Sequence, residues 1–230
     1  MEAASGGPQN SQQQPITMAD IPIPPTLGLV LAGGLARRMG GGDKAHIEIG
    51  GVTILDRVLA CLSAQCTGII INANGDPGRF ADTGLEVVPD NVPGFAGPLA
   101  GVLSGLDWLV AQNNGIEWLL SVPGDCPFLP DDLVERLHQA RRKLGTGVPL
   151  ACARSGEQRH PVVGLWPLAL RANLRKALVE DDLRKVDVWM AQHDVAIADW
   201  PDQPIDPFLN VNTPEDAAHA EKIAAQMAGG

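Results

Sequence analysis

The chain has 230 residues, long enough for one sizeable α/β domain. Hydrophobic residues make up 45% and charged ones 19%, a globular balance that excludes wholesale disorder and a membrane-embedded class. With 17 Lys and Arg against 27 Asp and Glu, the formal net charge is −10. No general affinity for nucleic acid is expected from that balance, and a bound nucleotide needs local positive charge and a metal.

Residues 1–26 are rich in Gln, Pro, Ser and Gly and carry no Lys or Arg. They lack the basic start and apolar core of a secretory signal and read as a disordered tail, with Met18 as a second candidate start. No later stretch approaches the ~18 uninterrupted apolar residues of a membrane span. Cys61, Cys66, Cys126 and Cys152 show neither a C-x-x-C pair nor zinc-like spacing, which favours buried structural thiols in a reducing cytoplasm.

The apolar run Leu27 to Leu31 suits a strand buried on both faces of a parallel sheet. Gly33 and Gly34 follow at once, and without a Cβ they let backbone N–H groups approach an anion. Arg37, Arg38 and Lys44 add positive charge, so a nucleoside triphosphate is the natural guest. Two familiar phosphate loops fail: Asp43 precedes Lys44 and Ala45 follows it, against the P-loop, and residues 33–38 lack G-x-G-x-x-G spacing. Arg38 can equally be a solvated partner for a surface carboxylate.

Next, His46 to Ile49 alternates like a short strand, Gly50 and Gly51 make a turn, and Thr53 with Asp56 can cap a helix whose apolar residues run to Leu62. Strands are expected at 68–74, 85–90 and 117–125, each ending in polar or acidic residues: Asn72, Asp90 and Asp125. Between them, Pro98 opens a helix carrying Leu99, Leu103 and Leu106, and a second helix runs from Pro130–Asp132 to Lys143. Strands alternating with helical crossings predict an α/β, doubly wound, mostly parallel sheet. From Pro149 the pattern weakens: strands at 150–154 and 161–166, an antiparallel candidate pair, helices at 168–183 and 186–192, a strand at 195–200, and a closing helix capped by Thr213 with Pro214 at its first position.

Arg37, Lys44, Asn72, Asp90, Asp125, His160, Asn210 and Asn212 all sit at strand ends or just beyond them. In a parallel sheet those ends share one edge, so these residues are expected to converge on one cleft. Asp125, at the tip of a buried strand beside Gly124, is the candidate ligand for Mg²⁺, with a turn or N-cap aspartate as the alternative. Arg37 and Lys44 suit the catalytic task of neutralising a triphosphate and its pyrophosphate leaving group. Asn72 and Asp90 suit the reading of a base or ribose. Residues 101–105 have the wrong spacing for a nucleophile elbow, so no protein nucleophile is expected.

The pattern LAGG-x-A-R-R-M-G-G-x-D-K over Leu31 to Lys44 resembles the signature of the MobA family, the molybdenum cofactor guanylyltransferases. The resemblance implies a single domain over residues 27–230 of Rossmann-like, nucleotide-diphospho-sugar transferase type, with a GTP-binding half at 27–147 and a less regular molybdopterin-binding part at 148–230. It implies GTP contacts at Leu31, Ala32, Gly33, Lys44, Asn72, Asp90 and Asp125, with Mg²⁺ on Asp125; Gly34 joins the GTP-binding set as the second residue of the glycine pair. Molybdopterin contacts are implied in Gly156 to Pro161 and Asn210 to Pro214, through His160, Asn210 and Asn212. His160 can equally be a structural strand-initiating residue, and the two asparagines ordinary turn and pre-cap residues. The implied reaction joins GMP from GTP to the phosphate of molybdopterin or its molybdenum form and releases pyrophosphate. Molybdenum-insertion and molybdoenzyme chaperone proteins are implied partners. A CTP-dependent reaction on molybdopterin or a phosphorylated alcohol, and a non-catalytic nucleotide-binding or cofactor-delivery protein, are the competing readings; Gly33 argues against the first, Lys44 and Asp125 against the second.

Overall fold

The computed structural model describes residues 21–33, 47–92, 94, 97–145, 147 and 150–228. Gly34, Arg37 and Lys44 lie outside the described residues. Among the described residues a seven-stranded sheet carries the fold, in the order β5-β4-β1-β6-β8-β7-β9. Its strands are β1 (Thr26–Leu31), β4 (Gly68–Asn72), β5 (Val87–Val88), β6 (Trp118–Pro123), β7 (Leu150–Ser155), β8 (Gln158–Pro167) and β9 (Val195–Trp200); β2 (Glu48–Ile49) and β3 (Val52–Thr53) form a separate antiparallel hairpin. β1 pairs in parallel with both β4 and β6, β4 with β5, and β7 with β9, while β8 runs antiparallel to β6 and β7.

Alternation along β1 builds two cores, because successive side chains of a strand leave by opposite faces. Val30 joins Ile71 and Val122 beneath α1 (Ile54–Ser63) and α3 (Leu133–Leu144), with Ala220 and Ala224 of α6 (Pro214–Ala228) in the same cluster. Leu27 and Leu29 join Ile70 and Leu119 beneath α2 (Pro98–Gln112), α4 (Arg171–Val179) and α5 (Val186–Met190). Leu29 and Val30 are both 0% exposed, which is why the strand reads as a continuous apolar run. The sheet is thus covered on both faces, the doubly wound arrangement expected.

Caps set the helix starts. Thr53 Oγ1 accepts from Asp56 N at 3.0 Å ahead of α1. Thr213 Oγ1 accepts from Asp216 N at 3.2 Å, while one Asp216 oxygen accepts from the backbone of Asn212 and Thr213, both at 2.9 Å. Asp132 precedes α3 without a side-chain cap bond to it; its carboxylate instead accepts the Trp200 indole N–H at 2.8 Å, tying α3 to β9. Two expectations need adjustment. Only Val87 and Val88 of the expected strand at 85–90 pair with β4. The helix expected at 168–183 is a 3-10 turn, Leu168–Leu170, followed by α4, which ends at Val179. Glu180, Asp181 and Asp182 come next, and three acidic residues at a helix C-terminus oppose its dipole.

One buried polar group holds β1 to α3. His138 is 0% exposed; Arg141 Nε donates to its Nδ1 at 2.9 Å, and its Nε2 lies 2.8 Å from Thr26 Oγ1. Arginine can only donate, so Nδ1 accepts and the ring proton sits on Nε2, pointing at Thr26, whose own hydroxyl donates to Pro24 O at 2.9 Å. Burial first, then the charges of Arg141 and Arg142, push the His138 pKa down to about 3.

Candidate functional site

The parallel strands deliver Leu31, Asn72 and Val88 to one edge of the sheet, and short backbone bonds continue it: Ala32 N donates to Asn72 O, Ala73 N to Val88 O and Gly124 N to Leu31 O. At this edge a cavity of about 300 Å³ is lined by Leu31, Gly33, Asn72, Asn74, Asp90, Gly97 and Pro98. Ala32 is only 7% exposed, and its N–H is engaged by Asn72 O, so it shapes the strand end from below.

The polar wall of the cavity is one connected network. Asn72, 6% exposed, donates through Nδ2 to Val88 O and to Asp90 Oδ1, each at 3.0 Å. Asn74 donates through Nδ2 to Asp90 Oδ2 at 2.8 Å and accepts from Asp90 N at 2.9 Å. Each Asp90 oxygen keeps a further lone pair, so the carboxylate stays able to accept from a ligand while two amides fix its plane. The start of α2 supplies the rest of the lining with Gly97 and Pro98. Gly97 holds φ 148°, a backbone region that L side chains rarely adopt, and Pro98 takes the first helical position. The positive end of that helix dipole therefore borders the cavity and suits an anionic group.

Gly101, one turn into α2, makes the close approach possible: a Cβ there would stand 2.6 Å from Leu31 Cδ2 and 2.9 Å from Asn72 Cγ. Asn74 and Gly101 were not among the expected site residues. Asn74 is reachable from the sequence, since it closes the strand expected at 68–74, two residues beyond Asn72 and so on the same face of that expected strand. Gly101 carried no signal beyond being a glycine inside a helix.

A second cluster lies over β6 and β8. Asn210 Nδ2 donates to Asp125 Oδ1 at 2.7 Å, and Val211 N donates to Asp125 O at 2.9 Å, so the segment before α6 is stitched to the tip of β6. Cys126 Sγ stands 3.8 Å from Phe208 O, and burial, then the charges of Asp125 and Asp206, push its thiol pKa well up, leaving a structural thiol. His160 Nε2 lies 2.7 Å from Ser155 Oγ, and its ring packs 4.8 Å from that of Phe208. Burial lowers the His160 pKa, with Asp206 acting the other way. The register of β8 slips opposite Cys152 and Ala153, at Pro161 to Val163, where a proline has no N–H for a ladder. Asn212 stands at the α6 cap described above, its backbone N–H engaged by Asp216.

The structure thus brings Leu31, Gly33, Asn72 and Asp90 into one cavity, and Asp125 into contact with Asn210, with His160 joined to that cluster through Phe208. The two clusters meet where Gly124 N binds Leu31 O at 3.0 Å. Among the described residues no group of three or more His, Cys, Asp or Glu side chains is placed to hold a metal ion.

A doubly wound sheet with a carboxylate-and-amide pocket at the carboxyl ends of its parallel strands makes this an α/β protein whose pocket lies where such sheets bind their ligands. Residues 28–197 match the family model described as the MobA-like NTP transferase domain, and the chain belongs to that family. A molybdenum cofactor guanylyltransferase of Nitrobacter hamburgensis is 61% identical over 209 residues, covering 91% of this chain and 99% of the relative. One from Rhodopseudomonas palustris is 57% identical over 207 residues, covering 90% and 97%. Among solved structures, molybdopterin-guanine dinucleotide biosynthesis protein A of Archaeoglobus fulgidus superposes with a TM-score of 0.67 at 21% identity, over 87% of this chain and all of that one. At that identity the likeness speaks for the fold.

Proposed function

We propose that the protein is a molybdenum cofactor guanylyltransferase, transferring GMP from GTP to the terminal phosphate of molybdopterin or its molybdenum form, with release of pyrophosphate. The observation that carries the reading is the Asp90 carboxylate, oriented by Asn72 and Asn74 inside a cavity of about 300 Å³. Guanine presents N–H donors along its Watson–Crick edge, and a fixed carboxylate complements them, whereas cytosine presents an acceptor at its ring N3. Relatives 54–61% identical that bear the same functional name support the assignment.

The chain's tasks divide by position. Asn72, Asn74 and Asp90 hold the base; Leu31 and Gly33 form the floor beside it. The start of α2 offers its dipole to phosphate or ribose oxygens. Gly34, Arg37 and Lys44 are assigned the triphosphate from sequence. The acceptor lies over the part of the chain from 148 onward, near His160, Asn210 and Asn212. Its phosphate is already an anionic nucleophile, so the protein's contribution is orientation for in-line attack on the α-phosphorus.

Asp125 is the residue that would hold Mg²⁺. The donor set fits: Mg²⁺ commonly takes one or two carboxylates and completes its shell with phosphate oxygens and water, and Asp125 is a half-buried carboxylate at the binding edge. When bound, Mg²⁺ supplies neutralisation of the charge on the transferring phosphoryl group. Asn210 fixes the carboxylate through Oδ1. The same reading carries a cytoplasmic site of action, in keeping with four free cysteines, and passage of the product to insertion or chaperone proteins.

Pyrophosphate release measured with each of the four nucleoside triphosphates tests the proposal. GTP is expected to be strongly preferred, and preferential use of CTP would overturn the guanylyl assignment. Asp125→Ala is expected to abolish release while the thermal transition persists; unchanged turnover would refute the metal role.

A further inference from the structure

We infer that Asp107 is a positioning residue for base recognition: it holds Asn91, and through Asn91 the neighbouring Asp90, against α2 under a clamp formed by Arg171 and Arg175 of α4. The inference rests on the guanine-pocket reading above. Asp90 lies beyond the last ladder pair of β5, which is Asn72 with Val88. No strand bond therefore fixes Asp90, and Asn72 and Asn74 restrain it only from the β4 side.

The restraint from the other side comes through Asn91. Its backbone N–H donates to Ser104 Oγ at 3.0 Å, and its side-chain Nδ2 donates to Asp107 Oδ2. Ser104 is buried and anchored in turn to Ala100 O at 3.0 Å, so both tethers run to α2. Asp107 is itself gripped: Arg171 Nε donates to Oδ1 and Arg175 Nη2 to Oδ2. Its side chain is 15% exposed, against 34% and 41% for the two arginines. Burial works to raise the Asp107 carboxyl pKa, but hydrogen bonds from Arg175, Asn91 and Arg171 outweigh it and keep the group ionised.

One carboxylate thus joins three pieces of chain: the loop after Asp90, α2 and α4. A lone structural ion pair would join α2 to α4 and stop there. The third bond, to the residue adjoining the base-reading carboxylate, turns the cluster into a locator for that carboxylate. Removing the negative charge also leaves two guanidiniums without their shared counter-charge, which loosens α4 on α2.

The test uses the full chain with Mg²⁺, and compares wild type, Asp107→Asn, Asn91→Ala and the double variant. Asn91 is exposed, so its truncation leaves the fold intact even where Asp107→Asn lowers stability. Steady-state pyrophosphate release is measured with GTP and with ITP, which lacks the exocyclic amine, alongside thermal unfolding. Each single variant is expected to raise KM for GTP roughly tenfold, about 1.4 kcal/mol, with kcat within about twofold and a narrowed preference for GTP over ITP. The double variant is expected to be no worse than the poorer single one, because both remove one link. Singles that lower the unfolding temperature but leave KM and preference untouched overturn the inference, as do fully additive effects in the double variant. A wild-type chain that neither binds nor turns over GTP overturns the guanine reading and the inference with it; normal wild-type turnover with unaffected variants overturns the inference alone.

Discussion

Gly101→Ala places one methyl group against the amide that organises the pocket. The new Cβ would lie 2.9 Å from Asn72 Cγ and 2.6 Å from Leu31 Cδ2, well inside the ~3.5–4.0 Å at which carbon atoms pack. The leucine methyl can swing aside, but the Asn72 amide is held by Val88 O and Asp90 Oδ1, each at 3.0 Å. Displacing it forfeits two bonds worth about 1 kcal/mol each, on top of modest overpacking strain of ~1 kcal/mol. Against this, alanine in a helix interior gains about 1 kcal/mol over glycine. The net loss is about 2 kcal/mol, or about 4–8 °C in Tm for a chain of this size. Since Asp90 loses one of its two orienting amides, KM for GTP is expected to rise roughly tenfold or more, with a smaller change in kcat. Gly105→Ala is the comparator: its Cβ would meet only the tips of Leu29 at 3.0 Å and Leu119 at 3.1 Å, in the core beneath the same helix. Thermal unfolding and pyrophosphate-release kinetics on both variants decide. A wild-type KM in Gly101→Ala, or an equal rise in both variants, refutes the reasoning.

The His138 pKa, pushed down to about 3, has a consequence for acid stability. The unfolded chain protonates this ring near pH 6.5 and the folded chain only near 3, so stability contributed by the neutral ring is present above 6.5 and falls by about 1.4 kcal/mol per unit below it. Urea midpoints followed from pH 7 to 4.5 are expected to decline less steeply in His138→Gln; parallel curves would contradict the burial argument. Thr53→Ala removes the acceptor for Asp56 N and is expected to cost about 1 kcal/mol in urea unfolding without altering turnover. A larger loss, or lost activity, would show that this cap does more than start α1. Asn74→Ala deprives Asp90 of a partner for Oδ2 and for its N–H, and KM for GTP is expected to rise severalfold with kcat little changed. An unaltered KM would remove Asn74 from the pocket's working parts.

The parallel half was legible because its information is local. Leu29 and Val30 are buried on opposite faces, so the strand shows as an unbroken apolar run, and polar residues directly after such runs mark the binding edge. Thr53 and Thr213 were legible as caps for the same reason: donor and acceptor are three residues apart. What escaped is long-range. The Asp107 cluster draws on partners 16, 64 and 68 residues away, and no pattern along α2 announces them. The strands at 150–154 and 161–166 were expected as a pair, but nothing in their periodicity says that β8 slots between β6 and β7 and extends the sheet. The helix at 168–183 is shorter than its apolar spacing predicts, because that spacing continues past the acidic residues that end α4. Gly34, Arg37 and Lys44 lie outside the described residues, and their assignment stands on the motif.

The reversed direction of β8 has a bearing on how this architecture can change its acceptor. Because β8 runs against β6, with Ser121 opposite Gly164 and Ser121 Oγ bonded to Val162 O at 2.6 Å, it is the beginning of β8 that reaches the edge where β6 finishes. His160, near a strand's first residues, and Asp125, just past a strand's last, come to the same rim by opposite routes. The β7–β8 hairpin at Ser155 to Gln158 is therefore a tip that can be lengthened, shortened or recoloured. Such edits leave untouched β1 and β4, which line the proposed nucleotide pocket, so under that assignment donor and acceptor preferences can diverge independently within one sheet.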